Sequence, residues 1–313
     1  MTEQRPFGTT GIQVSAIGLG AWQLGRSREW PTGPEPDEAV RIVHAALDAG
    51  VTFVDTAPGY AQGQSELNLG RALAGVHRDA VVLCTKVGHT PDGGTDFSPD
   101  AIVASVRGSA QRLGVDHLDI VVLHNPPPGV IDSAEHYAVL ERLRDQGLIR
   151  AFGASVDRCD EVDTVLASGR ADALEVRLSA LYQEPRPAVE RAHRRGAGVV
   201  VKVPLESGWL SGRYTADSTF TDVRARWSRA DVALRAHLVD EFRALLPEGV
   251  STVAGALRFL LADDAVSTVI PGTRSVEHLR SSVVAAAEPL PAETVTAIRA
   301  WYADRIGAQP LTW

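Results

Sequence analysis

Along this chain, apolar runs of four to six residues close on polar or glycine-containing turns, and amphipathic stretches of ten to fifteen residues follow them. The runs SAIGLG (15–20), TFVD (52–55), VVLCTK (81–86), LDIVVLH (118–124), RAFGAS (150–155), ALEVRL (173–178), GVVVKV (198–203) and STVIPG (267–272) read as strands. They are short, rich in branched residues and apolar at consecutive positions, as expected of strands covered on both faces. The amphipathic stretches predict helices beginning near Glu38, Ser65, Pro99, Ser133, Asp160, Pro187, Val250 and Ser275. Ser98 followed by Pro99 is a start signal, a capping hydroxyl ahead of a proline in the first turn. Gly50, Gly114 and Gly147 read as helix stops, each shortly before a strand. A small β-hairpin is expected over about residues 6–14, where TG and GI punctuate short alternating runs.

Eight such alternations imply an α/β fold, a closed (β/α)8 barrel of the TIM type, forming one domain over residues 1–313. The competing architecture is a doubly wound open sheet. That fold would place G-x-G-x-x-G after its first strand, whereas the first strand here runs into GLGAWQLG, which lacks the spacing. A long connection from Pro204 to Gly249 interrupts the rhythm between the seventh strand and its helix. Connections of that length often form binding loops or lids. A helical piece, DVALRAHLVDEFRALL, lies within it, and the C-terminal RIGAQPLTW reads as a further segment of this kind.

Composition narrows the function classes. Of 313 residues, 44% are hydrophobic and 22% charged, ordinary values for a folded globular enzyme. The net charge of −8 and the absence of a basic run argue against nucleic acid as a partner. No window approaches the roughly 18 uninterrupted apolar residues of a membrane helix, and MTEQRPFGTTG lacks the apolar stretch expected of a signal peptide. With only Cys84 and Cys159, no disulfide framework is suggested and a reducing cytoplasm is the expected location.

In a parallel barrel, chemistry gathers at the C-terminal ends of the strands. The second run ends in Asp55, the third in Lys86 and the fourth in His124, and Tyr60 follows in the loop TAPGYAQG. Singly, such an aspartate is usually a turn former, such a lysine solvated and such a histidine a local hydrogen-bonder. Placed together at three successive strand ends, they fit proton transfer to a carbonyl. An ammonium favours phenolate and would bring a tyrosine, with its ordinary pKa near 10, toward neutral pH. Asp55 could hold Lys86, and His124 could direct the carbonyl oxygen. The set supplies no electrons, so a hydride donor is implied.

The segments FVDTAPGYAQGQSELNLGRAL, LCTKVG, LGVDHLDIVVLHNP, GLIRAFGAS, VPLESGWLSGRY and STVIPGTRSVEHLRSS together resemble the aldo-keto reductase family, from about residue 6 to residue 288. The resemblance implies an α/β barrel with an N-terminal hairpin and reversible hydride transfer between NAD(P)H and a carbonyl. It assigns Asp55, Tyr60, Lys86 and His124 to the four catalytic positions, with Tyr60 as general acid in reduction and base in oxidation. It places the nicotinamide carboxamide near Ser155, where the family has serine. Val156 stands in place of the usual asparagine, Glu175 in place of glutamine, and Lys202 where an aromatic residue often stacks on the ring.

The same resemblance assigns Pro204, Leu205, Ser207, Gly208 and Leu210 to the pyrophosphate loop, with Gly20, Ala21, Trp22 and Asp55 as further cofactor contacts. Gly272, Thr273, Arg274, His278 and Ser282 fall at the adenosine end. A guanidinium at Arg274 suits a 2′-phosphate, so NADP(H) is favoured, with NAD(H) the alternative. No metal is expected.

For the substrate pocket the candidates are Trp22, Tyr60, His124, Trp209 and Trp227, with Trp30 and Trp313 in segments that could border it. Arg224, Arg226 and Arg229 could meet an anionic substrate, but a solvated loop face is the expectation. The partner is a small carbonyl or alcohol, and the assembly a monomer or small homo-oligomer. Two other readings stand beside the reductase: a cofactor-sensing regulatory subunit, and a barrel lyase or isomerase.

Overall fold

The computed structural model describes residues 2–307, 309 and 311; Trp313 lies outside the described residues. The chain opens with an antiparallel hairpin, β1 (Gln4–Pro6) and β2 (Gln13–Ser15). Eight parallel strands follow in sequence order: β3 (Leu19–Gly20), β4 (Phe53–Asp55), β5 (Val82–Val87), β6 (Leu118–His124), β7 (Ile149–Val156), β8 (Ala173–Arg177), β9 (Gly198–Lys202) and β10 (Thr268–Val269). The sheet closes on itself through parallel bridges from Ile17 to Val269 and from Gly20 to Gly272. Gly18 N donates to Val269 O at 2.8 Å across this seam. The expected barrel is therefore present, its first and last strands shorter than the apolar runs that announce them.

Why the strands read as unbroken apolar runs is visible in their two faces. Alternate residues point to opposite sides. Val54, Leu83, Val121, Leu123, Phe152, Leu174, Val176, Val199 and Val201 pack outward against the helices. The other parity, Phe53, Val82, Cys84, Ile120, Val122, Ala151, Ala173 and Val200, fills the barrel interior together with Phe7, Ile12 and Val14 of the hairpin. The hairpin plugs the N-terminal end: Thr9 N donates to Gly196 O at 2.8 Å, and the rings of Phe7 and Phe53 stack 6.3 Å apart.

The helices are α1 (Pro36–Asp48), α2 (Gln64–Leu73), α3 (Pro99–Leu113), the single turn α4 (Pro128–Ile131), α5 (Ala134–Asp145), α6 (Cys159–Ala167), α7 (Arg186–Arg194), α8 (Arg229–Ala244), α9 (Thr252–Leu261), α10 (Val276–Ala285) and α11 (Ala292–Arg305). Ser98 accepts from Ala101 N as the cap of α3, and Gly114 ends that helix in the left-handed region at φ 69°. The long seventh connection holds two 3-10 turns (206–211 and 223–226) and α8. Helix α11 is an addition to the expected eight. Among the described residues, no helix is long and apolar enough to cross a membrane.

Candidate active site

The parity that fills the barrel also builds the site. Two residues beyond interior Phe53 comes Asp55. Lys86 follows Cys84 by the same step, His124 follows Val122, Ser155 follows Gly153, and Lys202 follows Val200. On β8 the step runs from Ala173 to Glu175 and then to Arg177. Seven polar side chains thus enter the C-terminal mouth, where a cavity of about 740 Å³ opens between the βα loops. Arg177, Asn125, Asp157 and His89 also line it. The first was readable from the two-residue step on β8; the other three stand in loops, where no periodicity marks them.

At the floor lies a buried ammonium held by two carboxylates. Lys86 Nζ donates to both oxygens of Asp55 at 2.6 Å and to Thr56 O at 3.1 Å, and lies 3.1 Å from Glu175 Oε2. None of the three acid–base side chains is more than 3% exposed. Ser155 Oγ donates to Glu175 Oε1 at 3.1 Å. Lys202 Nζ donates to Ser155 Oγ at 2.8 Å and Asn125 Oδ1 at 2.9 Å, and pairs with Asp157 at 2.9 Å. Where the resemblance put a ring-stacking position, Lys202 is tied to three polar partners.

Burial and the nearby Glu175 push the Asp55 carboxyl well above its usual range, to about 7, against the pull of Lys86. Both carboxylates press the Lys86 ammonium upward, outweighing its desolvation. Tyr60 stands in a tight turn in which Ala61 and Gln62 take positive φ, 48° and 54°, a strained local backbone of the kind that aims functional side chains. Lys86 Nζ lies 5.2 Å from the centre of its ring. Desolvation nevertheless dominates, and the phenol is held above its ordinary value although Lys86 draws it down. The expected drift toward neutral pH is thus reversed: water is excluded more effectively than charge is supplied, so the phenol keeps its proton.

His124, beside Tyr60 with ring centres 5.8 Å apart, is held well below the ordinary imidazole value by burial first and then by Lys86, His89 and Lys202. It is therefore neutral near pH 7. The His89 ring packs edge-on against it at 4.7 Å. The donor atoms of Asp55, Cys84 and Glu175 lie within 4.8 Å of one another. The Lys86 ammonium already occupies this pocket, 2.6 Å from Asp55 and 3.1 Å from Glu175, and burial pushes the Cys84 thiol up, so the set is not arranged for a metal cation.

The remaining expected residues fall along the cavity. Gly20, Trp22, Pro204, Leu205, Ser207, Gly208, Gly272, Thr273, Arg274, His278 and Ser282 line it. Ala21 and Leu210 are buried behind the wall. Glu206, Ser207 and Gly208 have φ of 48°, 53° and 93° in succession, the left-handed backbone that turns amides toward an anion. At the far end, Ser275 caps α10 by accepting from His278 N at 3.2 Å, opening a helix N-terminus to the cavity. Arg274 donates to Thr32 Oγ1 and lies over the Trp30 ring at 5.7 Å.

Three expectations need correction. Trp209 and Trp227 do not line the cavity. They pack with Tyr214 and Phe220 in an aromatic cluster beneath the seventh loop, Trp209 fully buried. Arg224 is not solvated: only 5% exposed, it donates to Ser207 O at 2.7 Å and lies over the rings of Trp30 and Tyr214 at 5.0 and 5.3 Å. Arg226 and Arg229 are exposed, as expected. Trp22 and Trp30 do border the cavity, edge to face at 5.1 Å, with Trp22 6.2 Å from Tyr60.

The cavity fits a dinucleotide. At the floor, Glu175 Oε2 lies 3.1 Å from the Lys86 ammonium but accepts no hydrogen bond, so it can take one from a carboxamide NH2. Toward the other end stand the left-handed turn, a helix N-terminus and guanidiniums, all suited to phosphates.

A tyrosine and a neutral histidine above a buried ammonium–carboxylate pair, at the mouth of a parallel barrel, define a class: an oxidoreductase working on a carbonyl or alcohol. The model of the Aldo/keto reductase family matches residues 16–303, and the chain belongs to that family. It is an NAD(P)-dependent oxidoreductase. It is 32% identical over 305 residues to the NADH-specific methylglyoxal reductase of Escherichia coli, covering 90% of this chain and 92% of that one. It is 29% identical over 296 residues to L-galactose dehydrogenase of Arabidopsis thaliana, covering 91% and 88%. An aldo-keto reductase from Bacillus halodurans in its holo form superposes with a TM-score of 0.81 at 28% identity, over 96% of each chain.

Proposed function

We propose that this protein catalyses reversible hydride transfer between NADP(H) and the carbonyl or alcohol group of a small aldehyde, ketone or sugar, with Tyr60 as general acid and base. The observation that carries the reading is the buried Asp55–Lys86–Glu175 cluster directly beneath Tyr60, beside a neutral His124. The dinucleotide supplies or accepts the hydride. The protein's part is proton management. In reduction, the protonated phenol gives its proton to the carbonyl oxygen while His124 fixes the direction of that oxygen. Lys86 stabilises the phenolate so formed, and Asp55 keeps the ammonium in place. In oxidation the phenolate takes the alcohol proton, so that direction gains with rising pH. Trp22 and Trp30 offer apolar walls for a small carbon skeleton. The two free cysteines are compatible with a cytoplasmic location.

Comparing wild type with Tyr60→Phe tests the chemistry: turnover should fall to background while dinucleotide binding persists. Arg274, at the adenosine end, supports NADP(H). The name of the Escherichia coli relative points the other way for that protein. Arg274→Ala should lower the NADPH over NADH affinity ratio about tenfold, read by fluorescence titration; an unchanged ratio removes Arg274 as the phosphate reader.

A further inference from the structure

We propose that Glu175 sets the redox preference of the site, its carboxylate making the cavity floor favour the cationic oxidised nicotinamide over the neutral reduced one. The inference rests on the reading that the chain binds a nicotinamide dinucleotide. Its basis is a charge inventory of every element facing the floor. Asp55 from β4, Glu175 from β8 and Asp157 after β7 bring three carboxylates. Lys86 from β5 and Lys202 from β9 bring two ammoniums, each bound to members of that set. Arg177, next along β8, is directed to buried Glu206, its own counter-ion. Tyr60 and Cys84 keep their protons, and His124 is neutral. Once Asp55 has lost its proton, above about pH 7, the floor therefore holds one negative charge in excess. A glutamine at position 175 would leave it balanced.

The excess charge matters because of where it lies. Hydride transfer must take place within contact of the Tyr60 phenol, so the nicotinamide ring has to lie over this floor, whichever substrate is used. The ring is neutral when reduced and carries a positive charge when oxidised. A fixed carboxylate in a water-poor cavity discriminates between the two far more than it would in bulk water. The ammonium nearest Glu175, Lys86 Nζ at 3.1 Å from Oε2, donates to both Asp55 oxygens at 2.6 Å, so one positive charge is shared between two carboxylates and Glu175 is only partly compensated. Lys202 opposes it from the neighbouring strand, in register at Arg177.

The test measures binding, not turnover. Wild type, Glu175→Gln and Lys202→Met are titrated with NAD+, NADH, NADP+ and NADPH at a pH above about 8, where Asp55 is ionised, following quenching of tryptophan fluorescence. In Glu175→Gln the ratio of oxidised to reduced dissociation constants should rise about tenfold for the pair that binds. In Lys202→Met, where a positive charge is removed from the same wall, that ratio should fall. A ratio within about twofold of wild type in Glu175→Gln overturns the proposal. Should Glu175→Gln fail to fold, Lys202→Met decides alone, and a ratio that does not fall overturns it. Wild type that binds no dinucleotide overturns the underlying functional reading instead.

Discussion

At the scale of single residues, one ammonium beneath two carboxylates governs the site. Because the folded pKa of Asp55, about 7, lies above its ordinary 3.8, the folded protein holds a proton that the unfolded chain has lost between those values. The stabilising contribution is fully present below the ordinary carboxylate pKa and is lost as pH rises through about 7. Glu175→Gln removes the second largest cause of the shift. The variant's melting temperature relative to wild type should therefore improve between pH 5 and pH 8, by about 2–4 °C. A difference that stays flat over that interval would show that Asp55 and Glu175 do not compete for charge. Asp55, Lys86 and His124 were legible in sequence because each ends an apolar run. Tyr60 was legible by its short distance from Asp55 and by the family resemblance. Their protonation states were not. The direction for Tyr60 depends on how much water the assembled loops exclude, and no local pattern in TAPGYAQG encodes that.

At the scale of elements, strand parity does most of the placing, and its tolerance is small. Gly153 of β7 pairs with Ala173 of β8, and a Cβ at position 153 would stand 1.7 Å from Ala173 O. No rotamer relieves a clash with backbone. Gly153→Ala should destabilise the protein by about 4 kcal/mol or more, measured by urea unfolding, or prevent folding altogether. Gly129→Ala, with nothing within 4 Å of the added carbon, is the control. Strands and most helix starts were readable because caps, glycine stops and two-sided apolar runs are local signals. Helix α11 was not: its apolar residues are spread around the helix, half of them alanines, and only Thr294, Val295, Ile298 and Tyr302 are buried, so no one-sided stripe announces it. Arg224 was misplaced for a related reason, since the rings that cover it, Trp30 and Tyr214 among them, come from different parts of the chain.

At the scale of the whole molecule, three loops converge on one mouth. Arg224 ties the seventh loop to Trp30 of the first, Val223 N donates to Glu29 O at 3.4 Å, and Arg274 of the eighth reaches Thr32. The strand ends place Asp55, Lys86, His124 and Glu175 at the floor while these loops shape the cavity above it. On the proposed reading, chemistry is thereby separated from specificity: the strand ends carry the reacting groups, and the loop walls meet the rest of the compound. The central claim, that this mouth carries out proton-coupled hydride transfer through Tyr60, is tested most directly by one assay. Purified wild type and Tyr60→Phe are each mixed with NADPH or NADH and a panel of small aldehydes, ketones and sugars, and the loss of reduced-nicotinamide absorbance is followed. Wild type should oxidise the reduced cofactor in a carbonyl-dependent way, while Tyr60→Phe binds the dinucleotide and shows no turnover above background. Turnover by Tyr60→Phe near the wild-type rate would contradict the account.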